Sequence, residues 1–265
     1  MKDTKKEIRT AVILAAGMGQ RLRQVIDDRP KGLLLIDGKE IIRRSLDSLL
    51  DHGISEIVMV LGYLREKYIQ ALKTDYPQIK YVQNADYAET GSMHSLFLAR
   101  EQVRDGFLLL ESDLLYEDRC LSALLTDPGD EAVLISGATH SGDEVFVHGE
   151  SGLIQYIAKK KNPDLVSQGE LVGISKISAD LYSQMQEHYS QVIRFPSDYH
   201  YEDCLSDLSS RLPIRYLKVE DAIWTEIDDP SHYRRAVELI YPRICEKQKL
   251  VSQAGKRRVS RYTQV

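Results

Sequence analysis

The sequence predicts an α/β fold: a mostly parallel central sheet flanked by helices, with a smaller antiparallel capping sheet. Two observations predict it. Through the first half of the chain, short apolar runs alternate with segments of helical period, the pattern of strands joined by crossover helices. After about Pro128 the runs shorten and turn residues become frequent, as in antiparallel strands.

The elements follow in order. Thr10 to Ala15 is an apolar run ended by glycine, as in a buried parallel strand, and Gly32 to Ile36 reads as a short strand. Ile41 to His52 has helical spacing through Ile42, Leu46, Leu49 and Leu50 and is stopped by Gly53. Strands at Glu56 to Gly62 and Ile79 to Asn84 alternate with helices at Leu64 to Leu72 and Ser92 to Val103. Gly106 to Asp113, "GFLLLESD", is the most apolar strand and runs directly into acids. The segments "AVLISGAT", "EVFVHGESGLIQYIAKK" and "GELVGISKIS" read as antiparallel strands. Helices are expected at Ala179 to Tyr189 and Tyr201 to Leu212, strands in "IRYLKVE" and "IWTEID", and a terminal helix from Pro230 to about Ile244. One domain over 1–244, with capping elements at about 137–212, is expected, followed by a basic tail over 245–265.

Composition narrows the functions. The 265 residues carry a formal charge of -5, so no global basic field draws nucleic acid, and any anion must be held by a local site. The stretch "GKRRVSR" reads as a solvated tail. Cys120, Cys204 and Cys245 show no ligand spacing, which suits a reducing compartment. "MKDTKKEIRT" has no apolar signal core, and no apolar run approaches the roughly 18 residues of a spanning helix. A soluble cytoplasmic protein without membrane insertion is expected.

The stretch "LAAGMGQRLRQVIDDRPKGLL" carries the first chemistry. A strand followed by Gly-x-Gly exposes backbone N–H groups that form a nest for phosphate oxygens. Walker A is excluded because Gln20 and Arg21 follow Gly19, and the dinucleotide fingerprint because Leu22 stands where its third glycine belongs. Arg21 and Lys31 would neutralise a triphosphate from two sides. Chemistry at its α-phosphorus calls for a divalent metal on carboxylates. Asp113 closes the most apolar strand and Asp228 follows another; together they are the expected Mg²⁺ ligands. Glu111 lies on the same side of the strand as Asp113 and supports the metal from outside its shell. Glu226 and Asp229 are alternatives, Asp229 reading better as a helix cap.

The ordered motif LxAGxGxRL with PK resembles the N-terminal signature of the sugar-phosphate nucleotidyltransferase superfamily, and WxEIDxPxxYxxA resembles the segment that delivers its second aspartate. Over roughly Arg9 to Ile244, "LLLESDLLYE", "SGATHSGDEV", "GELVGISKIS" and "YEDCL" make the chain similar to the bacterial 2-aminoethylphosphonate cytidylyltransferases. The resemblance implies a Rossmann-like nucleotidyltransferase fold and transfer of a cytidylyl group from CTP to an aminoalkylphosphonate, for phosphonate decoration of lipids or glycans. A homodimer is compatible with it. It implies nucleotide contacts from Leu14, Ala15, Ala16, Gly17, Met18 and Gly19, and from Asn84, Thr90, Gly91 and Ser92 in "NADYAETGSMHS", where Tyr87 also falls in the pattern. Ser92 equally suits an N-cap. Arg21, Lys31 and Lys160, the last chosen from Lys159 to Lys161, are the expected catalytic cations. Ser92, Asp143, Glu144, Glu170, Tyr201, Glu202 and Asp203 are acceptor candidates, each acid having an alternative as a turn or helix-start residue.

Two neighbouring activities stay open: a CTP:phosphocholine cytidylyltransferase, for which Tyr199, Tyr201 and Trp224 would form an aromatic cage, and an NTP:sugar-1-phosphate nucleotidyltransferase. A nucleotide-binding module without catalysis is disfavoured by the intact Arg21, Lys31, Asp113 and Asp228. Trp224 reads as core, and His94, His140 and His148 as surface residues.

Overall fold

The structure, a computed structural model, describes residues 7–22, 29–194 and 198–250. Its first strands are β1 (Thr10–Ala15), β2 (Leu35–Ile36) and β3 (Lys39–Glu40), followed by α1 (Ile41–Asp51), β4 (Glu56–Leu61), α2 (Arg65–Leu72), β5 (Ile79–Gln83) and α3 (Ser92–Leu98). Next come β6 (Phe107–Glu111), β7 (Leu114–Tyr116), α4 (Arg119–Thr126), β8 (Ala132–Ser136), β9 (Phe146–Glu150), β10 (Leu153–Ala158) and β11 (Ser167–Ile177). The chain continues through α5 (Ala179–Val192), α6 (Tyr201–Ser209), β12 (Tyr216–Val219), β13 (Trp224–Glu226) and α7 (Pro230–Arg235).

Strands β5, β4, β1 and β6 run parallel in that spatial order. β1 is buried along its whole length, which is why its sequence is continuously apolar rather than alternating. Its residues divide by pleat: Ala11, Ile13 and Ala15 face the α1, α2 and α4 side with Leu46, Leu49, Leu72 and Leu121, while Val12 and Leu14 face Leu96, Met185 and Leu205 of α3, α5 and α6. The antiparallel strands expected after about Pro128 are present and attach to the central sheet. β11 pairs through Ile174–Ile177 with β6 and through Ser167–Glu170 with β9, and its other edge carries β8, so they extend the same nine-stranded sheet. Two small sheets, β13 with β7 and β2 with β3, stand beside it.

Several boundaries differ from expectation. A 3-10 turn over Lys31–Leu33 replaces the start of the expected strand, because Pro30 holds the chain in an extended entry and Leu33 N–H bonds back to its carbonyl. β6 stops at Glu111, where Ser112 N–H bonds to Leu14 O and the chain turns into β7. Helix α4, absent from the sequence reading, buries Cys120, Leu121 and Leu124. The last helix winds through a π turn over Ala236–Ile240 and continues over 241–250. The rest of the expected basic tail, 251–265 with "GKRRVSR", lies outside the described residues. No helix among the described residues is long and apolar enough to cross a membrane.

Two contacts hold the frame around the strand ends. A Cβ built on Gly91 would lie 2.4 Å from Tyr199 O, so glycine lets the start of α3 touch the backbone before α6. At the opposite corner, Lys176 of β11 is 1% exposed, donates to Asp127 O at 3.0 Å and lies 3.7 Å from Asp127 Oδ1, while Arg215 binds the same carboxylate at 2.8 Å. The Arg215 hydrogen bond holds Asp127 below the ordinary carboxylate range. Gly91→Ala is expected to cost about 1–3 kcal/mol by forcing the two helix starts apart, read as a shift in urea midpoint. Asp127→Asn is expected to cost about 2 kcal/mol at neutral pH. Because the folded pKa is depressed, that contribution is present above the unfolded value of about 3.9 and lost as pH falls through the folded value. The gap between the Asn variant and wild type therefore closes in acid, as equilibrium unfolding across pH would show.

Candidate active site

A cavity of about 320 Å³ opens beyond the carboxyl ends of β1 and β6, where ligands sit in open α/β sheets. Leu14, Ala15, Ala16 and Gly17 form one wall. Nothing stands within 4 Å of a Cβ built on Gly17, so its backbone faces open space. Met18 and Gly19 do not line the cavity. Gly19 has φ +56°, and a Cβ there would lie 3.0 Å from Lys31 Cγ, so glycine both permits the left-handed turn and leaves room for the lysine stem.

Lys31 and Arg21 meet the acids there. Lys31 Nζ lies 2.9 Å from Asp113 Oδ2 and also donates to Asp228 Oδ1. Arg21 Nη2 lies 2.8 Å from Asp143 Oδ2 and 3.3 Å from Asp228 Oδ2. Burial would lower the Lys31 pKa, but Asp113, Asp228 and Glu226 overcome it and raise the pKa. Burial pushes Asp228 up, and Lys31 with Arg21 outweighs it, holding the carboxyl below its ordinary range. Asp229 caps α7 by accepting from Ser231 and His232 N–H, as expected.

Behind this pair lie more carboxylates. Oxygens of Glu111, Asp113 and Glu226 fall within 4.8 Å of one another. Burial, together with neighbouring acids, raises the pKa of both Glu111 and Glu226. Glu111 Oε1 accepts from Tyr201 OH at 2.7 Å. Crowded, desolvated carboxylate oxygens are hard donors whose mutual repulsion a divalent cation would relieve, so this donor set fits Mg²⁺ or a similar ion. This cluster takes in Glu111 and Glu226 and leaves out Asp228, the second expected ligand; Asp113 and Asp228 meet instead on the Lys31 ammonium.

On the opposite wall stand Asn84, Tyr87, Thr90, Gly91 and Ser92. Asn84 is 1% exposed; its amide donates to Thr90 and Ser95 hydroxyls and its carbonyl accepts from Asp86 N–H, so it shapes the 84–92 loop. Ser92 is the first residue of α3 rather than its cap: its hydroxyl accepts from Tyr201 N–H and pairs with His200 Nδ1, tying α3 to α6.

The acceptor candidates separate. Asp143, Glu144 and Glu202 line the cavity, and Glu202 Oε2 is buried without a hydrogen-bond partner among the described residues. Glu170 is buried and accepts from Thr139 N–H, bracing a loop instead. Asp203 accepts from His200 N–H at the start of α6, and Tyr201 is buried behind the wall against Glu111. Lys159 lines the cavity 3.6 Å from Asp143, while Lys160 does not. Trp224 is core, its indole donating to Ser136, although one edge meets the cavity, and Tyr199 OH is bonded to Asp207. His94 and His148 are buried rather than on the surface: His94 meets Tyr189 OH, and His148 accepts from Asn162 N–H.

Sequence reasoning missed three supports. Tyr68, 2% exposed on α2, accepts from Gly32 N–H at 3.1 Å and steadies the Lys31 turn. His232 Nε2 meets Ser141 O at 3.1 Å and Arg235 donates to Thr139 O at 2.8 Å, fastening the loop that carries Asp143 to the helix after Asp228. No period or motif marks them; Tyr68 reads as one more apolar position of its helix.

A glycine loop, two cations and paired acids, one after β6 of the parallel sheet and the other after β13, meet at one cavity of an α/β protein. Over residues 11–191 the chain matches the MobA-like NTP transferase domain family and belongs to it, so the nucleotidyltransferase class is established at the level of family. It is 28% identical over 237 residues to the CMP-5'-(3-aminopropyl)phosphonate synthase of Streptomyces rubellomurinus, covering 85% of this chain and 38% of the relative. It is 29% identical over 183 residues to the 2-aminoethylphosphonate cytidylyltransferase of Lancefieldella rimae, covering 68% of this chain and 71% of the relative. The chain spans 38 to 54% of the length of the first curated relatives it matches. The inositol-1-phosphate CTP transferase of T. maritima shares the fold, with TM-score 0.74, 23% identity and coverage of 86% of this chain and 92% of that one.

Tyr68→Phe leaves Gly32 N–H buried without its acceptor and is expected to cost about 1–3 kcal/mol, measured by urea unfolding.

Proposed function

We propose that this chain transfers the cytidylyl group of CTP to a phosphonate oxygen of 2-aminoethylphosphonate, giving CMP-2-aminoethylphosphonate and pyrophosphate. The observation that carries the reading is the convergence on one cavity of the glycine-loop backbone, Arg21 and Lys31 with the acids that end β6 and follow β13. The Streptomyces and Lancefieldella relatives, named for CMP-phosphonate synthesis and cytidylyl transfer to 2-aminoethylphosphonate, support the acceptor.

In this reaction an acceptor oxygen forms a bond to the α-phosphorus while the bond from that phosphorus to the bridging oxygen of pyrophosphate breaks, the leaving group taking the electron pair. An anionic phosphonate oxygen needs no general base, so positioning and charge neutralisation carry the rate. The backbone from Leu14 to Gly17 faces the triphosphate, and Arg21 and Lys31 balance the leaving pyrophosphate. Asp113 and Asp228, with Glu226 and Glu111 adjoining, would hold Mg²⁺, which when bound polarises the α-phosphate. Lys159, on the cavity wall where Lys160 is not, neutralises the acceptor anion. Glu202, Asp143 and Glu144 supply counter-charge for a primary ammonium. Tyr199 and Tyr201 do not line the cavity and spend their hydroxyls on Asp207 and Glu111, which argues against a choline cage.

Pyrophosphate release measured with CTP against 2-aminoethylphosphonate, phosphocholine and phosphoethanolamine, and with UTP in place of CTP, tests the reading. The highest kcat/KM is expected for CTP with 2-aminoethylphosphonate; a clear preference for phosphocholine would replace the acceptor, and absence of turnover with every pair would sink the reading. Asp113→Asn is expected to lower kcat by about 100-fold or more.

A further inference from the structure

The ammonium of Lys31 already engages the carboxylates that the proposed function gives to a divalent cation. It lies 2.9 Å from Asp113 Oδ2 and donates to Asp228 Oδ1, while Arg21 approaches the other oxygen of Asp228 at 3.3 Å. The three side chains of the lysine bridge are 18, 11 and 10% exposed, so solvent and salt screen them little. A cation placed on Asp113 and Asp228 would therefore meet both a repelling ammonium and carboxylate oxygens turned toward another partner. The lysine stem lies against Gly19, in the glycine loop that the proposed function gives to the triphosphate.

Resting on the assignment of Asp113 and Asp228 as metal ligands, we propose that Lys31 is a competing internal cation that keeps metal affinity low until a nucleoside triphosphate draws its ammonium onto the phosphates. Metal and nucleotide then bind as a coupled pair, and the metal alone binds weakly. The coupling is reciprocal: each ligand raises affinity for the other, because only the doubly bound state lets every charge of the knot find an opposite. Lys31 thus has two successive partners, the acids first and the triphosphate afterwards.

The test uses Mn²⁺ as the probe, with free Mn²⁺ followed by electron paramagnetic resonance, and α,β-methylene-CTP as a nucleotide that is not turned over. In the absence of nucleotide, Lys31→Gln is expected to bind Mn²⁺ about tenfold or more tightly than wild type, and Lys31→Arg, which keeps the charge, is expected to stay weak. The gain in Mn²⁺ affinity produced by the analogue is expected to be smaller in Lys31→Gln than in wild type, since chelation by the nucleotide itself is common to both. Equal Mn²⁺ affinity of wild type and Lys31→Gln without nucleotide overturns the proposal. Thermal melts establish that each variant is folded, and Lys31→Met reads the same quantity should the Gln variant fail. Wild type needs no variant for the reciprocal arm: if Mn²⁺ leaves its affinity for the analogue unchanged, the proposal also falls. Asp113→Asn separates this from the underlying assignment, because Mn²⁺ affinity undiminished from that of wild type at the same analogue concentration, where chelation by the nucleotide is common to both, would overturn the metal ligands themselves.

Discussion

Everything around the cavity depends on neutralising acids at the ends of two strands. Glu111, Asp113, Glu226 and Asp228 are brought together because β6 turns into β7 after Glu111, and β7 pairs with β13, whose chain runs on to Asp228. Ile227 N–H bonds to Asp113 O, locking the two acidic ends in register. A set of buried carboxylates so close would not stay folded and charged without compensation. Lys31 and Arg21 supply it for Asp113 and Asp228, one from the turn after Pro30 and the other from the glycine loop, while burial shifts Glu111 and Glu226 toward their neutral forms.

That requirement explains supports which otherwise look incidental. Tyr68 fixes the Gly32 amide and so the direction of Lys31. Tyr201 donates to Glu111 from a helix anchored to α3 through Ser92. His232 and Arg235 hold the loop bearing Asp143, and Asp143 in turn holds Arg21. Each is a hydrogen bond to a group whose position sets a charge. Electrostatic stabilisation of a transition state needs such preorganisation, since charges free to relax would answer the substrate too late.

The sequence carried the parallel half of the fold and the charged centre because both rest on local signals. β1, β4 and β6 are unbroken apolar runs, and the glycine loop with Arg21 and Lys31 is contiguous or nearly so. What was not legible depends on pairing at a distance. β11 changes partner along one edge from β9 to β6, near Gly173 with φ +80°, and no local period marks this attachment of the antiparallel strands to the main sheet. Which lysine of Lys159 to Lys161 reaches the cavity depends on how the end of β10 leads into the following turn. The same limit explains Glu170 and Ser92: each has a polar group suited to a ligand, and the fold spends both on neighbouring backbone amides, Thr139 and Tyr201.

The acceptor half of the cavity follows a different logic from the nucleotide half. Under the proposed function the phosphate side needs positive charge against a polyanion, and Arg21 and Lys31 of the N-terminal segment would supply it. Asp143 joins the two halves, 2.8 Å from Arg21 and 3.6 Å from Lys159, and Glu144 and Glu202 add further acids to the wall. A purely anionic acceptor would be repelled there, and a purely cationic one would find nothing to direct its nucleophilic oxygen. The zwitterion of the proposed function would answer both, its ammonium against the carboxylates and its anion toward Lys159 and the α-phosphorus. Under the proposed function the choice between a hydrogen-bonding ammonium and a quaternary one falls to Glu202, which lines the cavity and whose Oε2 is buried without a hydrogen-bond partner among the described residues. A primary ammonium would donate hydrogen bonds to a carboxylate there, and a trimethylated one would offer none.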